Sequence, residues 1–423
     1  MTKDDIIKAA FKVWGQELYQ TTSLSNIARE LGVSKPALYR HFKDKDALLA
    51  AMYTTFFDDY SASIRESYEQ ALSVGENAGS ENAGKKRKSN LIMMRAIAEY
   101  YIRNRDIFVF SLVLVNNRQE KEKAGNELRK RGIDMRRMVY GEIASSFYPS
   151  KIQLIVTSLV FLIANFHRYD LKPDETPSGE LVKSVLAQIE DRVTRGLGLD
   201  KRTVAALDYE GLEKMASGTV YKETEDNALL RAVAEVVAES GPWNASMEKV
   251  ARRSGLSKSG LYAHFKSKQE MLSKLFTTEF ITIVNFAKAQ IKKSTVPEEQ
   301  LYLAIVSIVN YLRSRPEILL AIDWIKTRRL HLGEDAVYNQ LYRIIKGLKL
   351  ETVQKQDQSL LVRIAQWILF MIVNTLAWWL PEEGDTSCGA QNKDWAKNIA
   401  EIPNESFRIM FRFIAVGLEG LNT

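Results

Sequence analysis

The chain has 423 residues, 46% of them hydrophobic and 26% charged, with a net charge of +7. That length suits two cores of about 200 residues better than one, and the composition is that of an ordinary globular protein. A single cysteine, Cys388, excludes an intramolecular disulfide and a cysteine metal cage, while the positive balance permits an anionic partner such as nucleic acid without demanding one.

Helical periodicity runs through the chain and no stretch alternates as a strand would, so the fold class predicted is all-α. Residues 4–19 place Ile6, Ile7, Ala10, Phe11 and Trp14 on one face, and the acidic residues among them are foreign to a signal peptide. Ser23 stands where an N-cap is needed, and Gly32 where a left-handed residue closes a short helix. Ser34 caps a second short helix with Pro36 in its first turn, and a longer helix opens at Lys45. The Gly/Asn/Ser/Lys-rich stretch 75–89 reads as a mobile loop, and the basic run Lys85–Lys88 as a solvated charge cluster on it. Ile152, Ile155, Leu159, Leu162 and Ile163 stripe a helix over 150–168, and another follows at 177–197. The join lies at 199–224, helical over Thr203–Met215, with a boundary near Gly218.

The pattern then restarts. Residues 225–239 form an apolar helix through Leu229, Leu230, Val233, Val236 and Val237, followed by caps at Ser246 and Ser257, a glycine turn at Gly255 and a long helix from Lys268. Leu361, Ile364, Ile368, Phe370 and Ile372 stripe a helix over 358–380, and the last helix covers 405–420. The longest apolar run, Trp367–Leu380, is 14 residues and contains Asn374. It falls short of the roughly 18–20 residues that span a bilayer, so it reads as a buried helix, with no membrane partner. Residues 382–395 read as a second loop-like insertion.

The restart is a repeat. SLSNIARELGVSKPALYRHFKDKDALL (23–49) and SMEKVARRSGLSKSGLYAHFKSKQEML (246–272) align at a constant offset of 223. Further on, Tyr101-Ile-Arg-Asn-Arg105 matches Tyr311-Leu-Arg-Ser-Arg315 at offset 210, and Arg195-Gly-Leu-Gly198 matches Val416-Gly-Leu-Glu419 at offset 221. Two compensating insertions around a persistent register indicate duplication of a whole domain. The expected layout is a head at 1–50, a body at 51–200, a linker at 201–223, a second head at 224–273 and a second body at 274–423.

Each head is two short helices joined by a glycine turn, a helix-turn-helix, whose second helix enters the major groove of duplex DNA. Its base-facing residues are Lys35, Pro36 and Ala37 in one copy and Lys258, Ser259 and Gly260 in the other. Lysine donates to guanine, while small residues permit close approach or touch a thymine methyl. Tyr39, Arg40, His41 and Lys45, with Tyr262, His264 and Lys268, reach toward phosphates or the groove beside them, and the caps Ser23, Ser34, Ser246 and Ser257 complete the DNA-binding set. Leu38, Phe42, Leu261 and Phe265 read as core.

The string Gly-[Val/Leu]-Ser-Lys followed by Tyr-x-His-Phe-Lys-x-Lys resembles the DNA-binding domain of the tetracycline-repressor (TetR) family in both copies. The resemblance implies an all-helical subunit with a ligand pocket in the body and dimerisation through its last two long helices. It implies a transcriptional regulator, most simply a repressor controlled by a small-molecule effector, while the N-terminal helix unlike a signal peptide and the short apolar run lead to the expectation of a cytoplasmic protein. Candidate pocket positions include Met93, Met94, Tyr100, Tyr101, Phe108, Tyr302, Tyr311 and Trp324, and Trp367, Trp378 and Trp379 read as core or subunit interface. With both heads on one polypeptide, the expectation is a covalent pseudo-dimer reading two unequal half-sites, with a homodimer of tandem chains as the rival. A sensor or interaction module with idle heads is the alternative function. No nucleophile–base pair, phosphate loop or nucleotide fingerprint points to an enzyme, and neither a metal nor a cofactor is expected. His167 and His331 have no counterparts and read as ordinary histidines.

Overall fold

The computed structural model describes the chain except for residues 17–22, 77–81, 117, 135–148, 173–174, 218–224, 329–341, 349, 351–356, 378–393 and 422–423. Among the described residues every regular element is helical and none is a strand. The chain divides into two compact units, residues 1–147 with 163–190, and residues 148–162 with 191–423. Residues 148–162 and the joining helices therefore belong to the second unit.

In the first unit α1 (Lys3–Gln16), α2 (Leu24–Glu30) and α3 (Lys35–Tyr39) form a head from which α4 (Lys45–Glu76) leads. Helix α1 lays its apolar stripe along α6 (Arg105–Asn116). Phe110 of α6 lies 5.0 Å from Phe11, 5.2 Å from Tyr53 and 6.0 Å from Phe56, ring centre to ring centre. Such tilted and edge-on pairs add to the stabilisation from buried area alone. On α5 (Asn82–Arg103), Tyr100 and Tyr101 meet Tyr60 of α4 at 5.2 and 5.6 Å, and α7 (Arg118–Lys130) also packs on α4. Helix α8 (Pro149–Asn165) closes in a π turn, Phe166–Asp170, and α9 (Gly179–Arg195) follows. His167 of that turn is a buried core histidine, its Nε2 2.8 Å from the Tyr101 carbonyl oxygen and its ring against Phe108.

In the second unit the joining segment is docked. Asp200 caps α10 (Lys201–Ala205) through the Thr203 amide at 2.8 Å, and α11 (Tyr209–Ser217) packs on α16 (Pro297–Ser314). The buried carboxylate of Glu213 accepts hydrogen bonds from the Tyr302 phenol at 2.6 Å, Asn404 Nδ2 at 2.9 Å, and Arg408 Nε and Nη2 at 2.8 and 2.9 Å. Burial alone would raise the pKa of this acid, but the bonds from Arg408, Tyr302 and Asn404 outweigh it and hold the carboxyl below its usual value. Tyr209 packs edge-on to Tyr302, ring centres 4.9 Å apart.

The second head comprises α12 (Glu225–Asn244), α13 (Met247–Ser254) and α14 (Lys258–His264), and α15 (Lys268–Ile291) leads from it. Gly241, at φ +72°, breaks α12 before its last turn, a conformation that favours glycine. Helix α12 packs along α17 (Pro316–Arg328), as α1 does along α6. The buried Glu279 of α15 accepts the Tyr311 phenol and lies 3.5 Å from the buried Arg315, whose Nε donates to Glu317 at 2.5 Å. Burial raises the Glu279 carboxyl, and Arg315 offsets only part of that.

The remaining helices are α18 (Gln358–Ala377), α19 (Asp394–Ala400) and α20 (Asn404–Val416), followed by a 3-10 turn at Gly417–Leu421. Two residues of α8 meet α18: the Trp367 indole N–H donates to Ser158 Oγ at 3.0 Å, and Phe161 lies 5.3 Å from Phe370. The two Gly-Leu repeats also meet. Leu197 N donates to the Ile414 carbonyl at 2.8 Å and Leu199 N to Ala415 at 3.0 Å. Gly196 and Gly417 both hold positive φ, and a Cβ on either would collide with backbone of the other repeat. Helix α18 has the length and apolar character to cross a membrane, yet much of it is packed, including Trp367, Met371 and Ile372.

Three expectations are corrected. Residues 82–89 are the first turns of α5 and Gly75 and Glu76 the end of α4, so of the stretch 75–89 only 77–81 lies outside the described residues. Ala83, Lys85, Lys86, Arg87 and Lys88 are good helix formers, and extending an existing helix costs less than nucleating one. Ser23 and Ser34 occupy N-cap positions with extended backbone, but neither side chain caps its helix. The Ser23 hydroxyl instead donates to Asn26 Oδ1 at 2.5 Å, a local bond that competes with the cap. The expectations for 382–393, His331, Trp378, Trp379 and Cys388 lie outside the described residues.

Candidate nucleic-acid interface

Each recognition helix is anchored by two buried residues, Leu38 and Phe42 in the first head and Leu261 and Phe265 in the second. That anchoring leaves the intervening positions facing outward. Ser34, Lys35, Pro36, Tyr39 and Arg40 are exposed, as are Ser23, Ser257, Lys258, Ser259, Tyr262 and His264. Ala37, His41, Lys45, Ser246, Gly260 and Lys268 are half-buried. Tyr39 is 47% and Tyr262 46% exposed, where a packing role would bury a ring of this size. Two large aromatics left equally open at equivalent positions suit contact with a partner rather than with the core. The Lys35 ammonium stands 5.8 Å from the Tyr39 ring centre, beside the same surface.

The heads are held differently. In the second, Ser246 Oγ accepts the Lys249 amide at 3.2 Å, Ser257 Oγ the Gly260 amide at 3.0 Å and Ser267 Oγ the Glu270 amide at 3.1 Å. Arg253 ties α13 to α12 through Nη2, 2.6 Å from both Glu239 oxygens, and Nη1, 3.0 Å from Glu235, charge-assisted bonds stronger than neutral ones. In the first head, Lys12 to Glu30 at 2.8 Å ties α1 to α2, and Asp44 caps α4 through the Ala47 amide at 2.7 Å.

Burial lowers the pKa of both Lys45 and Lys268, and for Lys268 the like charge of Lys249 lowers it further. Lys249 thus brings a second positive charge near Lys268. Sequence reading passed over Lys249 because its counterpart is Asn26; its place early in α13 was the only signal. Among the described residues no group of His, Cys, Asp and Glu is arranged to hold a metal ion.

In the bodies, Met93, Met94, Tyr100 and Phe108 are packed core, Tyr101 is half-buried, and Tyr302 and Tyr311 serve Glu213 and Glu279. The Trp324 side chain lies outside the described residues. The second unit contains an apolar cavity of about 20 Å³ lined by Leu301, Ile305, Ile308, Ile345 and Ile368, enough for about one water molecule.

Both heads are similar to known proteins. The domain described as bacterial regulatory proteins, tetR family, matches residues 6–52 and again 229–275. The fatty acid metabolism regulator protein of Bacillus subtilis (strain 168) is 23% identical over 159 residues, 36% of this chain and 81% of that protein. The HTH-type transcriptional regulator HbdR of Aromatoleum sp. (strain CIB) is 36% identical over 67 residues, 16% of this chain and 29% of its own length. The solved structure of the fatty acid degradation regulator FadR from Bacillus halodurans aligns with 47% of this chain and 98% of its own at 18% identity, with a TM-score of 0.35.

Proposed function

We propose, from the premise that this chain is a TetR-family protein carrying two TetR-like units, that it is an effector-controlled repressor. In this reading it acts in the cytoplasm as a covalent pseudo-dimer whose two heads read unequal half-sites. The observation that carries the reading is the pairing of equivalent residues. Near a two-fold axis each residue meets its own equivalent. Phe161-x-Ile163-x-Asn165 and Phe370-x-Ile372-x-Asn374 are equivalent stretches, and Phe161 lies against Phe370. Gly196 and Gly417, equivalent in the Gly-Leu repeats, likewise meet. In this reading one chain supplies both halves of a contact that two subunits would otherwise form.

The unequal half-sites follow from the recognition surfaces. Pro36, Ala37 and Arg40 stand where the second head has Ser259, Gly260 and Ala263. Arg40 offers a guanidinium where Ala263 offers a methyl group, and a bidentate contact discriminates between bases by about 1–3 kcal/mol. The DNA-binding set we assign is Ser23, Ser34, Lys35, Pro36, Ala37, Tyr39, Arg40, His41 and Lys45 with Ser246, Ser257, Lys258, Ser259, Gly260, Tyr262, His264 and Lys268, extended by Lys249. An apolar effector entering the second body through this cavity would have to part core side chains, because the cavity has room for about one water. That displacement would couple ligand affinity and DNA affinity reciprocally.

Selection of sites from a random duplex library at near-physiological salt tests the reading. An enriched site of two related but unequal halves supports it; a perfect palindrome removes the asymmetric part. No enrichment at any salt concentration favours a sensor whose heads are idle.

A further inference from the structure

A homodimer's near-axis residues must tolerate themselves, because each faces a copy of itself. In this chain the equivalents differ. Ser158 and Trp367 hold the same place in Ser158-x-x-Phe161 and Trp367-x-x-Phe370. Both are fully buried, and the indole N–H of one donates to the hydroxyl of the other at 3.0 Å. The Arg192 guanidinium lies 5.5 Å from the Trp367 ring centre and the Phe413 ring 6.5 Å from it. Arg192 and Phe413 are themselves equivalents, three residues before the two Gly-Leu repeats. The first copy therefore supplies the small hydroxyl and the cation, and the second supplies the indole and the phenyl ring that complete the same cluster.

Neither face fits a duplicate of itself. Two first-copy faces would set Ser158 against Ser158, leaving a void where the indole now sits, and would bring two Arg192 guanidinium groups together without the ring. Two second-copy faces would press two indoles into space for one and leave both N–H groups without the Ser158 hydroxyl. Interiors packed to crystal density accept neither the void nor the excess, and a buried donor without an acceptor is costly.

We propose that Ser158, Trp367, Arg192 and Phe413 form a heterotypic lock, by which a first-copy body face accepts a second-copy face and rejects another first-copy face. The partner that fits each face is the other copy, and like-with-like assembly through these helices is excluded. The proposal rests on the pseudo-dimer reading and extends it from pairing to pairing specificity.

The test is a double-mutant cycle in the full chain. Ser158→Trp overfills the site and Trp367→Ser empties it, and each lowers the thermal unfolding midpoint by about 5–10 °C. The exchanged double variant S158W/W367S restores one indole and one hydroxyl to the pair. Its loss falls short of the summed single losses by about 3 °C or more. Simple addition of the losses overturns the lock. Should an exchanged variant fail to fold, a milder cycle decides. S158A strands the indole N–H and W367F strands the Ser158 hydroxyl, so the double variant S158A/W367F loses less than the sum, and additivity there overturns the lock as well. The solution mass of the unaltered chain separates the two ideas. A single-chain mass with additive cycles removes the lock and leaves the pseudo-dimer. A two-chain mass with non-additive cycles keeps the lock and places it between chains.

Discussion

The two head–body joints are built on the same helices from different chemistry. Under the first head the contact is aromatic: Phe11, Tyr53 and Phe56 surround Phe110, and Tyr60, Tyr100 and Tyr101 extend the cluster. Under the second it is aliphatic, with Leu230, Val233 and Val237 of α12 and Ile318, Leu319 and Ile322 of α17 all buried. A buried ion pair adjoins it. Equivalent positions make the contrast sharp, for Phe56 corresponds to Glu279, Ile107 to Glu317 and Arg105 to Arg315. In the first copy the arginine is half-buried and donates to the Lys172 carbonyl at 3.5 Å; in the second it is buried between two carboxylates. The comparison teaches that the same helix pairing accepts different chemistry at equivalent positions, an apolar side chain in one copy and a buried, compensated charge in the other.

The largest effect expected from that contrast is at the arginine. Arg315→Ala leaves Glu279 buried without its cation and costs about 3–5 kcal/mol, whereas Arg105→Ala costs less, because the first copy has Phe56 in place of that carboxylate. Denaturant unfolding of both variants checks this, and equal losses would break the comparison. Next, Phe110→Ala removes the centre of the ring cluster and costs about 3–5 kcal/mol. Hydrogen exchange should then rise in α1 while α12 keeps its protection; parallel loosening of both heads would contradict independent joints.

An intermediate effect is expected at the DNA surface. Lys35→Ala and Lys258→Ala each cost about 1–3 kcal/mol of base discrimination, at opposite ends of the selected site. Loss at the same end from both would mean that the heads are not used as a pair.

The smallest effect is a difference of sign with pH. Glu213 is held below the usual carboxylate value, so its stabilisation is present above that value and is lost as pH falls through the lowered pKa. Glu279 is held above the usual value, so its contribution is present in acid and is lost as pH rises through the raised pKa. The stability deficit of Glu213→Gln should therefore shrink as the solution is acidified. That of Glu279→Gln should shrink as pH rises. Unfolding measured across pH 3–8 checks both directions, and deficits moving the same way would refute the opposed assignment.

Much of this was legible in the sequence. The Gly-x-Ser-Lys and Tyr-x-His-Phe strings located both heads, and the apolar stripes located the long helices, because both signals are local and periodic. The pairing of Gly196 with Gly417 was legible only as a repeat; that the repeats touch is a long-range fact. Glu213 sits in a joining segment whose composition gave no reason to expect a buried charge, since its partners Tyr302, Asn404 and Arg408 come from 89 to 195 residues away. Glu279 left a trace, a carboxylate where the first copy has a phenylalanine. The helical start of α5 was missed because Gly and Asn suggested a loop while Ala, Lys and Arg sustained a helix.

The central claim is that one chain carries both halves of a DNA-reading pair. The most direct test is the mass of the complex on the selected duplex, measured at concentrations well above its dissociation constant. One chain per site is expected, with protection of two unequal half-sites that Lys35→Ala and Lys258→Ala weaken separately. Two chains on a symmetric site, with one head of each chain left unprotected, would contradict it.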